Sequence, residues 1–148
     1  MSITNININR EEILDPHYRY KMPKVSLKIE GRQKNTVVGN LEDIAKSLER
    51  DEKEILKYIG YAICSQAKMK KDKAIINGQH QQNTVQNIIY DYIDHFVLCK
   101  NCVNPETGYH LNIRKSGNKL KMRCKACSKK SKIGEHKLVK YIVKKLMV

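Results

Sequence analysis

The chain has 148 residues and a formal net charge of +14, and 41% of it is hydrophobic with no Trp and one Phe. That length allows one modest domain or two very small ones, with a core built mainly from aliphatic side chains. No run of about 18 apolar residues occurs, which excludes a membrane-spanning helix, and the opening "MSITNININREE" is neither basic nor apolar enough for a secretory signal. The expectation is a soluble, cytoplasmic monomer. Its charge is unevenly placed: residues 96–148 hold 14 Lys and Arg against two acids, Glu106 and Glu135, while residues 1–95 are nearly balanced. A small module that basic points to a polyanionic partner, because releasing counterions from phosphates supplies affinity without sequence readout.

Residues 1–23 show no sustained period and read as an extended tail. Within it, "DPHYRYKMPK" sets Arg19 between Tyr18 and Tyr20, bracketed by prolines that disfavour a helix. "KVSLKIEG" alternates Val25, Leu27 and Ile29 with polar residues, as a half-buried strand does, and "TVVG" follows after a turn. Asn40 is placed to cap a helix bearing Leu41, Ile44, Ala45 and Leu48, and Asp51 with Glu54 marks the start of a second. "KAIING" reads as a strand, and from about His80 to Phe96 the apolar residues share one helical face. This order gives a compact α+β domain over residues 24–95. Beyond it, "YHLNI" and "KLKMR" are joined by Lys115-Ser116-Gly117-Asn118 as a hairpin, and Leu138, Val139, Ile142, Val143 and Leu146 mark a terminal helix.

Four of the five cysteines fall as Cys99-x-x-Cys102 and Cys124-x-x-Cys127. Each pair can clamp one edge of a tetrahedral ion, and the hairpin between them brings the pairs together, the arrangement of a four-cysteine zinc ribbon over residues 96–148. A closed set of four thiolates makes Zn²⁺ structural and ties the folding of this region to the metal. Cys64 lies in the apolar segment "YAICSQ" and reads as a buried structural thiol. His136 begins the terminal helix, where it caps or packs. Neither a phosphate-binding loop nor a nucleophile elbow is present, so the chain by itself reads as one that catalyses nothing.

"YRYKMP" at 18–23, "KIEG" at 28–31, "NGQH" at 77–80, "FVLC" at 96–99, "NPET" at 104–107 and "CKAC" at 124–127 resemble the N-terminal domain of eukaryotic translation initiation factor 5. The resemblance runs from about residue 15 to 146. The β subunit of initiation factor 2 shares the same α+β plus zinc-ribbon plan, but "YRYKMP" and "NPET" favour factor 5. The resemblance implies that the chain stimulates GTP hydrolysis by the γ subunit of initiation factor 2, bound to initiator tRNA on the small ribosomal subunit, during start-codon selection. On that reading Arg19 acts in trans on the nucleotide, Lys57 supports it, and Lys34 lies one position off the family's place in a shortened "GRQKNT" loop. Arg114, Lys115, Lys119, Lys121, Arg123, Lys125, Lys129 and Lys130 would contact ribosomal RNA phosphates.

Three departures bear on that reading. Residues 60–66 lack an acid and a glycine that the family carries, Ser128 stands where a glycine usually follows "CKAC", and the expectation is a chain that stops at Val148 without the family's helical-repeat domain. The alternative is a non-activating module, similar to the β subunit or mimicking factor 5, that occupies the ribosome or tRNA without triggering hydrolysis. A generic zinc-ribbon nucleic-acid protein would fit the cysteines but leave "YRYKMP" unexplained.

Overall fold

A computed structural model describes residues 5–12, 14–32, 34–112, 119–134 and 136–147. The elements are β1 (Asn5–Asn7), a single 3-10 turn (Arg10–Glu12), β2 (Lys21–Pro23), β3 (Leu27–Glu30), β4 (Asn35–Val38), α1 (Leu41–Leu48), α2 (Glu52–Ile63), β5 (Ala67–Lys70), β6 (Lys73–Asn77), α3 (Gln82–Phe96), β7 (Thr107–Asn112), β8 (Lys119–Cys124), β9 (Lys130–Lys132) and α4 (Lys137–Leu146). They form a β1-β2 pair, an antiparallel sheet in the order β3-β4-β6-β5, and an antiparallel ribbon in the order β7-β8-β9. The architecture is α+β followed by a ribbon and a terminal helix, as the sequence implies.

Local chemistry sets most boundaries. The Asp51 carboxylate accepts the Lys53 N–H at 2.9 Å and starts α2. Asn40 sits at the start of α1, but its side chain serves elsewhere: it accepts from Ser26 N–H at 2.9 Å and donates to the Lys24 carbonyl at 2.7 Å, fixing the approach to β3. On α3, Gln86 accepts the Val25 N–H at 2.9 Å and Gln82 donates to the Val25 carbonyl at 2.6 Å, so two amides stand in for a strand partner. His80 lies outside α3 and bonds the Asn77 carbonyl at 2.8 Å. Gly60 is required by proximity, since a Cβ there would meet the Ala67 Cβ at 3.1 Å where α2 crosses β5.

Two expectations are corrected here. The first is the tail: its described part is folded. β1 pairs with β2, Ile8 and Met22 are buried, and Asn7 donates to the Glu12 and Asp15 carbonyls at 2.6 and 2.7 Å. Arg10 binds Asp91 and Asp94 of α3 at 2.5 Å each. The second is Cys64, which is exposed: α2 has ended, and Cys64 turns the chain in the left-handed region at φ 61°.

The ribbon is seated on the α+β core through a buried polar joint. Arg50, in the turn between α1 and α2, donates to the Phe96 carbonyl at 2.8 Å, to the Thr107 carbonyl at 2.7 Å and to Thr107 Oγ1 at 2.8 Å, with its guanidinium 4.5 Å from the Tyr109 ring centroid. One turn on, the Glu54 carboxylate is 3% exposed and accepts from the Tyr109 hydroxyl at 2.6 Å and from Tyr92. His136 caps α4 by accepting Leu138 N–H at 3.0 Å and stacks on Tyr58, with centroids 4.9 Å apart, so both expected roles occur. Leu120, Leu138 and Ile142 thereby join the same core as the helices of the first half.

Removing the clamp leaves buried carbonyls without donors, so Arg50→Met lowers unfolding free energy by about 2–4 kcal/mol in urea titrations of the metal-loaded chain. Burial raises the Glu54 pKa, against the opposing effects of the Tyr109 and Tyr92 hydroxyls and of Arg50. The unfolded chain therefore releases this proton first. The cost is absent below the unfolded carboxyl pKa, grows as pH rises above it, and is complete above the folded value. Glu54→Gln flattens that part of the stability–pH profile, and an unchanged profile contradicts this assignment.

Candidate functional site

Three features outside the core carry chemistry: the cysteine cluster, the arginine between two tyrosines, and one face of the ribbon. The thiol sulfurs of Cys99, Cys102, Cys124 and Cys127 all lie within 4.8 Å of one another, with Cys99–Cys127 at 3.7 Å and Cys102–Cys124 at 3.5 Å. Four sulfurs about 2.3 Å from one tetrahedral ion stand roughly 3.8 Å apart, so the cluster fits a metal ion.

Two matching turns build it. The Cys99 carbonyl accepts Val103 N–H at 2.8 Å while Cys99 N–H donates to the Asn104 carbonyl at 3.0 Å. In the second turn the Cys124 carbonyl accepts Ser128 N–H, and Cys124 N–H donates to the Lys129 carbonyl, both at 3.0 Å. Backbone N–H groups of Asn101 and Cys127 approach Cys99 and Cys124 sulfurs at 3.4 Å, a polar setting suited to thiolate charge. Each turn closes through a left-handed residue, Val103 at φ 63° and Ser128 at φ 64°. Glycine would adopt that conformation more readily at both positions.

Arg19 projects from a mounted segment. Tyr18 and Tyr20 pack edge to face, with centroids 5.9 Å apart, and both press on the core while Arg19 stays exposed with its guanidinium 5.6 Å from the Tyr20 centroid. Burial raises the Tyr18 pKa, so that phenol stays neutral. The Tyr20 carbonyl accepts Ile8 N–H at 3.0 Å, and its hydroxyl accepts from Asn104 of the first cysteine turn at 3.3 Å. The segment therefore touches the core and the cysteine cluster at once.

Lys57 and Lys34 stand on other elements. The Lys57 ammonium lies 4.9 Å from the Tyr141 ring centroid between α2 and α4. Lys34 is exposed in the β3–β4 turn, where its carbonyl accepts Gly78 N–H at 2.7 Å.

On the ribbon, strand alternation buries Leu120, Met122 and Cys124 and turns Lys119, Lys121 and Arg123 to the opposite face. Register brings Lys132 beside Lys121 and Lys130 beside Arg123, while His110 faces Lys121 from the other side. None of the positions facing these five cations in register is acidic. Like charges set directly opposite one another cost stability in a sheet unless an anion covers them. Lys129 is exposed, and Lys125 is drawn aside to Glu49 at 3.3 Å. Arg114 and Lys115 lie outside the described residues.

The family described as the domain found in initiation factors 2B and 5 matches residues 9–130, a span that takes in Arg19, Lys57 and all four cysteines. The chain belongs to that family. It is similar to the eukaryotic translation initiation factor 5 of Caenorhabditis elegans, 44% identical over 144 residues that cover 94% of this chain and 32% of that protein. Against the same-named protein of Saccharomyces cerevisiae it is 40% identical over 145 residues, covering 95% and 35% of the two chains. For Mus musculus the figures are 39% over 147 residues, with 95% and 33% covered. The chain thus spans about a third of the length of these curated relatives.

Within this initiation-factor domain, sequence reading missed Lys132 because β9 is three residues long and has no apolar pattern, and it missed His110 because only strand register sets it beside Lys121. It also missed Arg50, which looks like an ordinary helix-surface charge in "LERDEKE", and it read Glu54 only as a helix-start signal, not as the buried partner of Tyr92 and Tyr109. Val103 is β-branched and 47% exposed, so its left-handed turn is strained and its side chain packs little. Val103→Gly therefore raises the unfolding free energy of the metal-loaded chain by about 0.5–1 kcal/mol, the left-handed penalty less glycine's added chain entropy. A lower melting temperature would contradict that reading of the turn.

Proposed function

We propose that this member of the initiation factor 2B and 5 domain family stimulates GTP hydrolysis by the γ subunit of initiation factor 2, with initiator tRNA on the small ribosomal subunit, during start-codon selection. The observation that carries the reading is the mount of Arg19. A bare surface arginine has many rotamers to lose, whereas this one leaves a segment already fixed by Tyr18, Tyr20 and Met22. Its guanidinium is planar and permanently charged, suited to bind oxygens that gain charge as a phosphoryl group transfers. Lys57 supports from α2, and Lys34 contributes from the β3–β4 turn. Reaching into a partner's site asks for an exposed side chain on a fixed backbone, which Arg19 supplies.

Cys99, Cys102, Cys124 and Cys127 would hold one Zn²⁺, which when bound neutralises thiolate charge and locks the two turns. The ribbon's basic face (Lys119, Lys121, Arg123 and Lys130, with Lys125 and Lys129 near it) would lie on RNA phosphates, and Arg114 and Lys115 would add to those contacts. Phosphate contacts of that kind fix orientation and carry no sequence information.

In single-turnover hydrolysis by the initiator-tRNA complex on small subunits, Arg19→Ala lowers the stimulated rate by about 10³-fold, and Arg19→Lys restores little of it. Ribosome affinity, measured in parallel, stays near wild type. Stimulation that survives the substitution removes Arg19 from the mechanism. Retained ribosome binding with no stimulation by wild type favours the non-activating module instead.

A further inference from the structure

β5, "AKMK", forms one end of the four-stranded sheet, and among the described residues no strand pairs with its outer edge. Asn77 N–H donates to the Gln66 carbonyl at 2.8 Å, which makes Gln66–Asn77 a hydrogen-bonded pair. Antiparallel alternation then bonds Lys68 and Lys70 to β6 and turns the N–H and C=O groups of Ala67 and Met69 outward. An edge of this kind is a template for another strand.

The two faces of β5 differ in chemistry. On one face Ala67 and Met69 lean on α2, where with Leu56 and Tyr141 they form the floor of a 340 Å³ cleft rimmed by Lys53 and Lys57 and reached at its edge by Lys68. On the other face Lys68 and Lys70 line a polar hollow of 250 Å³. A wider cleft also lined by Tyr141 continues along α4 past Lys140 and Lys144. Among the described residues, none of these six lysines makes an ion pair.

We propose that the β5 edge is a docking site for an extended acidic peptide that adds as a fifth strand, its apolar side chains over Leu56 and Met69 and its carboxylates beside Lys68 and Lys70. The period of two decides the partner's chemistry. Cross-strand neighbours share a face, so residues laid beside Ala67 and Met69 enter the apolar cleft and those beside Lys68 and Lys70 meet ammonium groups. A segment alternating Asp or Glu with Leu, Phe or Val satisfies both faces and the outward backbone groups together. Single-stranded RNA fits less well. Apart from Tyr141 the cleft floor is aliphatic and thioether, and lysine ammoniums stand over the tyrosine rings that a base would need, Lys57 at 4.9 Å from Tyr141 and Lys137 at 6.0 Å from Tyr61. The site rests on neither Arg19 nor the ribbon face.

The test uses the whole 148-residue chain, metal-loaded, and a fluorescein-labelled peptide Asp-Phe-Glu-Leu-Asp-Phe-Glu-Leu. A peptide of the same composition with its acids and apolar residues in separate blocks is the comparison. In anisotropy titrations the alternating peptide binds at least about tenfold more tightly than the blocked one, a gap of about 1.4 kcal/mol. Lys68→Glu with Lys70→Glu, both exposed positions, weakens the alternating peptide by about tenfold or more. Met69→Pro removes an outward donor without touching the β6 ladder and abolishes binding; should that variant lose its fold, the charge reversal still decides. Equal affinity for the two peptides, or affinity unmoved by the charge reversal, overturns the proposal. So does a chain that ignores the peptide but binds oligouridylate in a manner the same reversal destroys.

Discussion

The buried meeting of Arg50 and Glu54 with the ribbon is the constraint from which the rest of this structure follows. Residues 96–148 form a small module whose Leu120, Leu138 and Ile142 are buried in one core with the helices of the first half, so its folding leans on that contact as well as on its four cysteines. Their remaining stability comes from contact with the helices. That contact is specified by polar groups that fit one way only: Arg50 donates to the Phe96 and Thr107 carbonyls, and the Tyr109 hydroxyl donates to Glu54. An apolar patch would tolerate sliding, whereas a guanidinium with several fixed acceptors and a carboxylate between two phenols does not. Once the joint is made, Leu120, Leu138 and Ile142 complete the helical core and α4 lies along α2.

Fixing the ribbon also fixes what it touches. Asn104 of the first cysteine turn bonds Tyr20, so the cysteine cluster braces the segment that presents Arg19. The basic face of β8 and β9 points away from the buried side of the same ribbon. A basic surface and a presented arginine are therefore held in one frame, which the proposed function would require. The β5 edge belongs to the four-stranded sheet, a separate part of that frame.

Legibility in the sequence followed the length and period of each signal. The Cys-x-x-Cys pairs, α1 to α3 and the strands with alternating Val, Leu and Ile were readable because several residues repeat one message. β1, β2, β5 and β9 span three or four residues and, unlike β3 and β4, carry no repeated Val, Leu or Ile, so no period can be established. The folded N-terminal segment was hidden for a further reason: its buried polar residues, Asn7 and Asn9, look like solvent-facing positions. Asn7 is held there by bonding loop carbonyls, a role no composition reveals. Arg50 and Glu54 sit in a run of charges, and only the arrival of Thr107 and Tyr109 from far along the chain distinguishes them from surface residues. Cys64 misled in the opposite direction, since an apolar neighbourhood in sequence ended just before it in space.

If the joint makes the two halves one cooperative body, disturbing the metal must be felt at Arg50 and Glu54. The direct measurement is residue-resolved hydrogen exchange on the zinc-loaded chain before and after chelation. Protection lost in β7–β9 is expected to be accompanied by loss across residues 48–56, where the half-buried arginine and the buried glutamate would lose their ribbon partners. Loss confined to the ribbon, with amide protection of residues 48–56 unchanged, would contradict a cooperative joint.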